Sequence, residues 1–259
     1  MAQKKKASAC VVSQGNPAPG IFDLVIKTEL AQDAHCGQFV AVYPKDKSTL
    51  LPRPISICEV DKEAGTLRLV YRVAGKGTAE FSGLAAGDSV DILGVLGNGF
   101  PAEQAKPGMT AVLMGGGIGV PPILQLAKEL DCEKKIVVGY RDAACFLKED
   151  FEKNGEVYVA TEDGSVGTKG NVMDAVRENG LEADIIYACG PMPMLRAIKQ
   201  YAKEKNIPAY ISLEERMACG VGACLGCVCK TTKVDHHSHV NNARICTDGP
   251  VFEAQEVDI

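Results

Sequence analysis

The sequence predicts a protein of the β plus α/β class, in which an antiparallel β-barrel precedes a parallel-sheet α/β domain and a small cysteine-rich segment. Three observations lead to this prediction. Up to about residue 103, short stretches rich in β-branched residues recur between turn residues. Beyond that point short apolar runs alternate with helical periodicity, and five of the eleven cysteines follow residue 218. We therefore expect domains at 1–103, 104–213 and 214–259.

The first domain contains six segments with the character of β-strands. In the fifth segment Leu67, Leu69 and Tyr71 alternate with Arg68 and Arg72, which is typical of a half-buried strand. Six such strands at this spacing favour a small antiparallel barrel or sandwich. The predicted strands are 9–13, 21–28, 38–43, 55–60, 66–73 and 89–93, with one short helix at 78–84.

The second domain alternates strands and helices from residue 109 onward. In its first helix Ile123, Leu126 and Leu130 form one apolar stripe. Alternating elements of this kind imply a parallel sheet with helices on both faces. The predicted strands are 110–114, 135–140, 156–160, 185–188 and 209–213, and the predicted helices are 122–130, 172–178 and 191–203.

Composition excludes several classes of function. The 259 residues are 46% hydrophobic and carry a formal net charge of −5 without a basic stripe, so nucleic-acid binding is not expected. No run of 18 apolar residues occurs, and Lys4–Lys6 precede no apolar stretch of signal-peptide length. We therefore expect a soluble, cytoplasmic protein without a membrane span.

The cysteine-rich segment has the spacing C-x4-C-x2-C, with a further cysteine 18 residues on. This spacing matches the thiolate ligands of plant-type [2Fe–2S] ferredoxins. Gly220 and Gly222 fit the same interpretation, because a loop around a cluster needs positive φ and close backbone N–H groups. The candidate metal ligands are Cys219, Cys224, Cys227 and Cys246.

Other interpretations of this segment stay open. A structural zinc site is the simplest alternative, although zinc usually takes two C-x2-C pairs and only one is present. Cys229 is expected to be a free fifth cysteine, with an alternative ligand role as the other possibility. His236, His237 and His239 are expected to be solvated loop residues.

A glycine-rich stretch, Gly115–Gly119 followed by Pro121 and Pro122, lies between a predicted strand and a predicted helix. Such a loop lets backbone N–H groups approach a pyrophosphate at a helix N-terminus. The stretch departs from G-x-G-x-x-G because Pro122 occupies the last position. A glycine turn without a ligand is the alternative.

Two positions at the ends of later strands are further candidates. Asp163 follows the third strand of this domain, where a carboxylate would bind ribose hydroxyls and repel a 2′-phosphate, which favours NAD over NADP. A solvated acidic turn explains it equally well. Cys189 ends the next strand, directly before Gly190, and is a site candidate or a lone buried cysteine.

In the barrel, two short stretches could together hold an anionic cofactor. Arg53–Ser56 supplies a guanidinium and a hydroxyl, and Gly75–Thr78 supplies a glycine loop at a helix start. Each stretch alone is a weak signal.

Taken in order, Arg-x-x-Ser, Gly-x-Gly-Thr, Gly-x-Gly-x-x-Pro and Cys-Gly-Pro resemble the ferredoxin–NADP reductase superfamily. The stretches Glu214–Cys224 and Cys246–Phe252 narrow this to a resemblance to the electron-transfer subunits of NAD-dependent (type B) dihydroorotate dehydrogenases. The resemblance covers nearly the whole chain.

This resemblance implies a set of cofactor-binding residues. Arg53 would pair with the FAD pyrophosphate, Ser56 would bond near the flavin N5, and Cys189 would approach the nicotinamide. The superfamily usually has a tyrosine where this chain has Ile55, so one flavin contact would be apolar. The implied residues are Arg53, Pro54, Ile55, Ser56, Val70, Tyr71, Arg72, Gly77 and Thr78 for FAD, and Gly117, Gly119, Pro122, Asp163, Cys189 and Gly190 for NAD.

The resemblance also implies a function in pyrimidine biosynthesis. A separate catalytic subunit with FMN would oxidise dihydroorotate, and no acid–base residue for that step is expected in this chain. Its electrons would pass through [2Fe–2S] and FAD to NAD⁺, within a heterotetramer of two copies of each subunit. The alternatives are a flavin and iron–sulfur subunit of a sulfide dehydrogenase or of an NADH-dependent ferredoxin–NADP oxidoreductase, and a redox-inert zinc scaffold.

Overall fold

The computed structural model describes residues 4–234 and 239–259. His236 and His237 lie outside the described residues. His239 is exposed and has a left-handed backbone with φ of 55°.

The first part of the chain is a closed antiparallel barrel, which confirms the barrel alternative of the prediction. Its strand order is β1-β2-β5-β4-β3-β6. Closure leaves no unpaired edge strand. The strands are β1 (Lys5–Ala18), β2 (Ile21–Lys27), β3 (Phe39–Tyr43), β4 (Arg53–Asp61), β5 (Thr66–Arg72) and β6 (Ser89–Leu96), with helix α1 (Lys76–Phe81) between β5 and β6.

Strand β1 is much longer than the predicted 9–13. Lys5 to Cys10 all pair with β6. The charged start of the strand is compatible with this pairing because Lys5 lies beside Glu29 and Lys6 beside Asp91. Sequence patterning missed these residues because the pairing, rather than an apolar run, holds them in the sheet.

The second part is a seven-stranded sheet in the order β10-β9-β8-β7-β11-β12-β15, parallel except for β15 (Val251–Glu253) at its edge. Five of its strands and three of its helices are those the sequence predicts. The elements are β7 (Thr110–Gly116), α2 (Pro121–Glu129), β8 (Glu133–Tyr140), α3 (Lys148–Glu152), β9 (Glu156–Thr161), β10 (Thr168–Lys169), α4 (Val172–Glu178), β11 (Ile185–Cys189), α5 (Met192–Lys205) and β12 (Ala209–Ser212).

The short elements α3 and β10 were not predicted from sequence. Helix α3 has five residues and β10 has two. Neither is long enough to show a periodic pattern of apolar residues.

The cysteine-rich segment contains β13 (Val228–Lys230), β14 (Asn242–Arg244) and β15 (Val251–Glu253). Strands β13 and β14 form a small antiparallel pair, whereas β15 pairs with β12 at the edge of the large sheet. Ile245 and Phe252 join the apolar cluster that also contains Ile198 of α5. The segment therefore packs on the α/β sheet, and its boundary at residue 214 stays a prediction.

The helices of the described residues are all short. None of them, in residues 4–234 and 239–259, has the length and apolar character that a bilayer span requires.

Candidate functional site

One outer face of the barrel meets the α/β sheet. The pairing of Ile57 with Leu69 makes Ser56 and Val70 neighbours on β4 and β5, with their side chains on the outer side. Val70 packs with residues of the α/β domain, whereas Ile57 and Leu69 belong to the barrel interior. The turn Gly117–Gly119 contacts β5. This barrel face and the glycine-rich loop therefore lie against each other.

Arg53 lies over the start of α1. A Cβ on Gly77 would come within 2.8 Å of Arg53 Nε, so only glycine lets the guanidinium lie this close. Thr78 Oγ1 accepts hydrogen bonds from the N–H groups of Ala74 and Gly75 and donates to the Gly75 carbonyl. These bonds hold the Gly75–Thr78 turn beneath the guanidinium, an arrangement suited to an anion such as a phosphate.

Two residues implied for this site point into the barrel instead. Ile55 packs in the barrel's apolar interior. The Tyr71 ring lies between Phe22 and Phe81, with centroids 5.9 and 6.2 Å away, and its hydroxyl donates to Gln14 Oε1. Burial raises the pKa of Tyr71 well above its usual value. The structure thus brings the Ser56, Val70 and Arg72 side chains to the outer face, but not those of Ile55 and Tyr71.

The glycine-rich loop lies at the carboxyl edge of the parallel sheet, where β7 has β8 on one side and β11 on the other. Such a reversal of strand order is where open α/β sheets bind ligands. A Cβ on Gly119 would be 2.4 Å from the Cys189 carbonyl oxygen, so the loop packs directly on Cys189 and Gly190. Gly117 has φ of +56° and open space where a Cβ would project.

Pro122 is buried in the first turn of α2, directly behind the glycine loop. A proline costs nothing there, because the first N–H groups of a helix have no partner within it. The loop, Pro122 and the pair Cys189–Gly190 are thereby gathered at one edge.

Cys189 and Glu214 meet at the same edge. The Cys189 Sγ lies 4.0 Å from Glu214 Oε1. Burial, with the nearby Glu214 carboxyl as a smaller cause, raises the pKa of Cys189 well above its usual value, so it remains a thiol. The Glu214 side chain is exposed as a whole, yet surrounding groups desolvate its carboxyl and raise its pKa against the lowering effect of Arg72.

Glu214 is the site residue that sequence reasoning missed. It directly follows the predicted strand 209–213, and that position at the carboxyl edge of the sheet is the signal that could have identified it. It lies between Arg72 on the barrel and Cys189 on the sheet.

Asp163 lies further along this edge, after β9. Its Oδ1 accepts hydrogen bonds from the N–H and hydroxyl of Ser165, at 2.9 and 2.6 Å. These bonds lower the pKa of Asp163, so the exposed carboxylate is ionised at neutral pH. The turn is ordered by its own hydrogen bonds and presents a negative charge to solvent.

The cysteine loop aims backbone N–H groups at sulfur. Cys219 Sγ accepts from the N–H groups of Val221 and Ala223, at 3.4 and 3.3 Å, and Cys224 Sγ accepts from Gly226 at 3.4 Å. Gly220 and Gly222 have φ of +66° and +82°, which the curvature of the loop requires. Such N–H groups stabilise thiolates, which are the form that binds metal.

The four predicted ligands lie close enough to affect one another's ionisation. Cys219 interacts with Cys224, and Cys246 interacts with Cys227 and more weakly with Cys219. Despite the opposing effect of burial, hydrogen bonds from Val221 and its neighbours lower the pKa of Cys219 to about 6. Burial, then the Cys227 thiol, raises the pKa of Cys246 to about 11.

The two strongest interactions, Cys219 with Cys224 and Cys227 with Cys246, are those that a [2Fe–2S] centre would need. In a [2Fe–2S] centre each iron takes two protein thiolates, whereas a structural zinc takes all four ligands at one point.

Cys229 lies outside these two pairs. It lies on β13 opposite Ala243, half-buried against the apolar cluster of the segment. Burial raises the pKa of Cys229, as expected for a thiol that packs against apolar groups.

Comparison with known proteins identifies relatives of this chain. Residues 214–258 match the family model described as the iron–sulfur cluster binding domain of dihydroorotate dehydrogenase B. The dihydroorotate dehydrogenase B (NAD(+)) electron transfer subunit of Lysinibacillus sphaericus is 45% identical, over 93% of this chain and 94% of the relative. The equally named protein of Bacillus caldolyticus is 46% identical, over 95% and 96%.

Solved structures share the architecture. A chain of an NADH-dependent reduced ferredoxin-NADP oxidoreductase superposes with a TM-score of 0.85 at 29% identity, covering 100% of this chain and 91% of that chain. A ferredoxin NADP+ reductase from Neisseria gonorrhoeae, solved with FAD and NADP, superposes with a TM-score of 0.65 at 16% identity. The match covers 83% of this chain and 95% of that chain and shows a shared fold.

Proposed function

Because this chain belongs to the family of electron-transfer subunits of dihydroorotate dehydrogenase B, we propose that it passes electrons from a dihydroorotate-oxidising partner subunit through [2Fe–2S] and FAD to NAD⁺. The observation that carries the proposal is the placement of three candidate sites on one structure. The barrel face, the glycine-rich edge and the cysteine loop would each suit a different redox group. The barrel contacts both the glycine-rich turn and the cysteine-rich segment.

The residues of the barrel and sheet would hold the two nucleotides. Arg53, over Gly77 and Thr78, would bind the FAD pyrophosphate, and Ser56 would lie at the flavin ring. The Gly117–Gly119 turn would bind the dinucleotide of NAD. When bound, the flavin supplies the exchange between single electrons and hydride that iron–sulfur and nicotinamide centres cannot make directly.

Cys189 and Glu214 would shape the space between the two rings. Cys189 is buried and stays a neutral thiol, so it adds no charge beside a nicotinamide. Desolvation raises the pKa of the Glu214 carboxyl, which lies between Cys189 and Arg72. Both groups would therefore lie beside the nicotinamide ring.

The cysteine loop would be the contact with the partner subunit. Cys224 is exposed, and three large apolar side chains around it are exposed as well, namely Val221 (37%), Leu225 (64%) and Val228 (36%). Exposed apolar groups of this kind are typical of protein interfaces. We propose that the partner carries FMN, that two copies of each subunit form a heterotetramer, and that the complex is cytoplasmic.

One experiment tests the whole proposal. The complex is isolated anaerobically and assayed for iron, acid-labile sulfide, FAD and FMN, and then for dihydroorotate-dependent reduction of NAD⁺. We expect all four components and coupled turnover. A colourless preparation would contradict it. Coupling to reduced ferredoxin and NADP⁺ instead of dihydroorotate would favour the function of the structural relative with a TM-score of 0.85.

Gly117→Ala is expected to weaken NADH binding. The alanine methyl group would project into the open space beside the Gly117–Gly119 turn, where the dinucleotide would bind. We expect KM for NADH to rise roughly tenfold, or about 1.4 kcal/mol. Gly180→Ala is a matched control, because Gly180 has φ of +57° and equally open space but lies beyond α4. Both variants should lose about 1 kcal/mol of stability from the left-handed backbone. Equal KM values for the two variants would exclude a role of Gly117 in binding the dinucleotide.

Asp163→Ala is expected to relax the preference for NADH over NADPH. Removing one exposed negative charge beside a 2′-phosphate should lower the ratio of kcat/KM values roughly fivefold, since the repulsion between two charges is weak in water. Asp61→Ala is the control, because Asp61 also caps an exposed turn through the Ala64 N–H but lies in the β4–β5 hairpin. An unchanged ratio would remove this role from Asp163.

A further inference from the structure

Asn98, at the end of β6, is hydrogen-bonded to the turn that follows Cys246. Its main-chain N–H donates to the Gly249 carbonyl at 2.6 Å. Its side-chain amide donates to the carbonyls of Thr247 and Asp248, at 3.2 and 3.0 Å. One barrel residue thus binds three consecutive carbonyls, about 150 positions away in sequence.

The residues that precede Asn98 are also in close contact with the cysteine-rich segment. A Cβ on Gly97 would be 2.5 Å from Pro250 Cδ and 2.9 Å from Phe39 Cε1. A Cβ on Gly220, beside the ligand Cys219, would be 3.2 Å from Leu96 Cδ1. No larger residue at Gly97 would let the barrel and the turn approach this closely.

The contact is connected to the proposed flavin face through neighbouring strands of the barrel. In the barrel register Ser56 pairs with Phe39, and Phe39 pairs with Leu96. Two strand spacings, about 10 Å, therefore separate Ser56 from the contact. Phe39 and Leu96 are buried in the same apolar cluster as Cys227 and Cys246, so this connection is packed protein.

We propose that Asn98 is a positioning residue, which holds the Cys246 turn against the barrel and so sets the separation between the iron–sulfur ligands and the flavin face. This inference rests on the proposed function. Asn98 touches neither centre. It acts by binding the carbonyls of residues 247–249. The N–H groups of these same three residues all donate to the Arg244 carbonyl.

The first test measures the turn itself. Hydrogen exchange of the peptide spanning 244–252 is compared among holo wild type, Asn98→Ala and Asn98→Asp. The aspartate keeps the shape of asparagine but cannot donate to a carbonyl. We expect faster exchange of this peptide in both variants. Exchange equal to wild type in both would overturn the proposal.

The second test measures electron transfer from NADH to the iron–sulfur cluster of each holoprotein. NADH is mixed anaerobically with each holoprotein, and bleaching of the iron–sulfur absorbance is followed by stopped flow alongside NADH–ferricyanide activity. We expect bleaching to slow roughly tenfold in both variants, since a displacement of ~1 Å can cost up to ~100-fold, with ferricyanide activity retained. Asn16→Ala, which removes an exposed amide bonded to one carbonyl within the barrel, should match wild type.

The possible outcomes distinguish failure of the proposed function from failure of the positioning role of Asn98. If NADH does not bleach the cluster of wild type, the proposed function itself fails. If wild type bleaches and both Asn98 variants bleach at the same rate, only the positioning role fails. Complete loss of iron from both variants would also overturn the positioning role, because it would assign Asn98 to cluster retention.

Discussion

Cys224→Ser is expected to abolish the iron–sulfur centre and coupled turnover while leaving FAD bound. The serine removes one of the two thiols of the Cys219–Cys224 pair, together with the sulfur that Gly226 N–H stabilises. Coupled dihydroorotate–NAD⁺ activity should fall by more than the ~10- to 100-fold that loss of an outer-sphere metal contact costs. Iron, labile sulfide and flavin analyses check the cause.

Cys229→Ser provides the matched control for this variant. Cys229 lies two residues beyond Cys227 but packs on the apolar cluster opposite Ala243. We expect full iron content and turnover near wild type, with a small loss of stability. Loss of iron in Cys229→Ser but not in Cys224→Ser would reassign the ligand set.

Arg68→Ala is expected to cause the largest loss of stability. Arg68 on β5 bonds to Asp23 and Glu59 of the barrel and to Asp150 of α3, at 2.7, 3.2 and 3.0 Å. Its side chain is only 22% exposed. Removal takes the cation away from Asp23 and leaves Glu59 with Lys128 and Asp150 with Lys153, which should cost about 3 kcal/mol in a urea unfolding experiment at pH 7.

The control for Arg68 is Arg177→Ala on α4. Arg177 pairs with Asp174 alone and is 66% exposed, so its loss should cost less than about 0.5 kcal/mol. Equal effects of the two substitutions would show that the Arg68 network does not hold the domains together.

The same network predicts a direction for acid sensitivity. Burial opposes ionisation of Asp150, but bonds from Lys153 and Arg68 outweigh it and lower the pKa of Asp150. A lowered pKa in the folded state means that this stabilisation is full above the unfolded value and is lost as the pH falls through the folded one. The stability difference between wild type and Arg68→Ala should therefore shrink below about pH 4. A difference that grows on acidification would contradict this.

Local patterns were enough for the architecture and for the cysteine motif. The alternation along β5 and the apolar stripe of α2 come from side chains that must face one core, so their periods are visible without the fold. The cysteine spacing works in the same way, because a loop that wraps a cluster must place its ligands at short fixed intervals. These inferences need only neighbours in the chain.

Contacts between distant segments depended on strand register and packing. A shift of one residue in β4 or β5 would exchange Ser56 and Val70 with Ile55 and Tyr71, and no local pattern shows which pair faces the α/β domain. Glu214 became a site residue only when β12 was placed beside β11, and Asn98 only when the end of β6 met the Cys246 turn. Tertiary packing made these choices, because the energy that selects them comes from residues as far apart as Asn98 and Gly249.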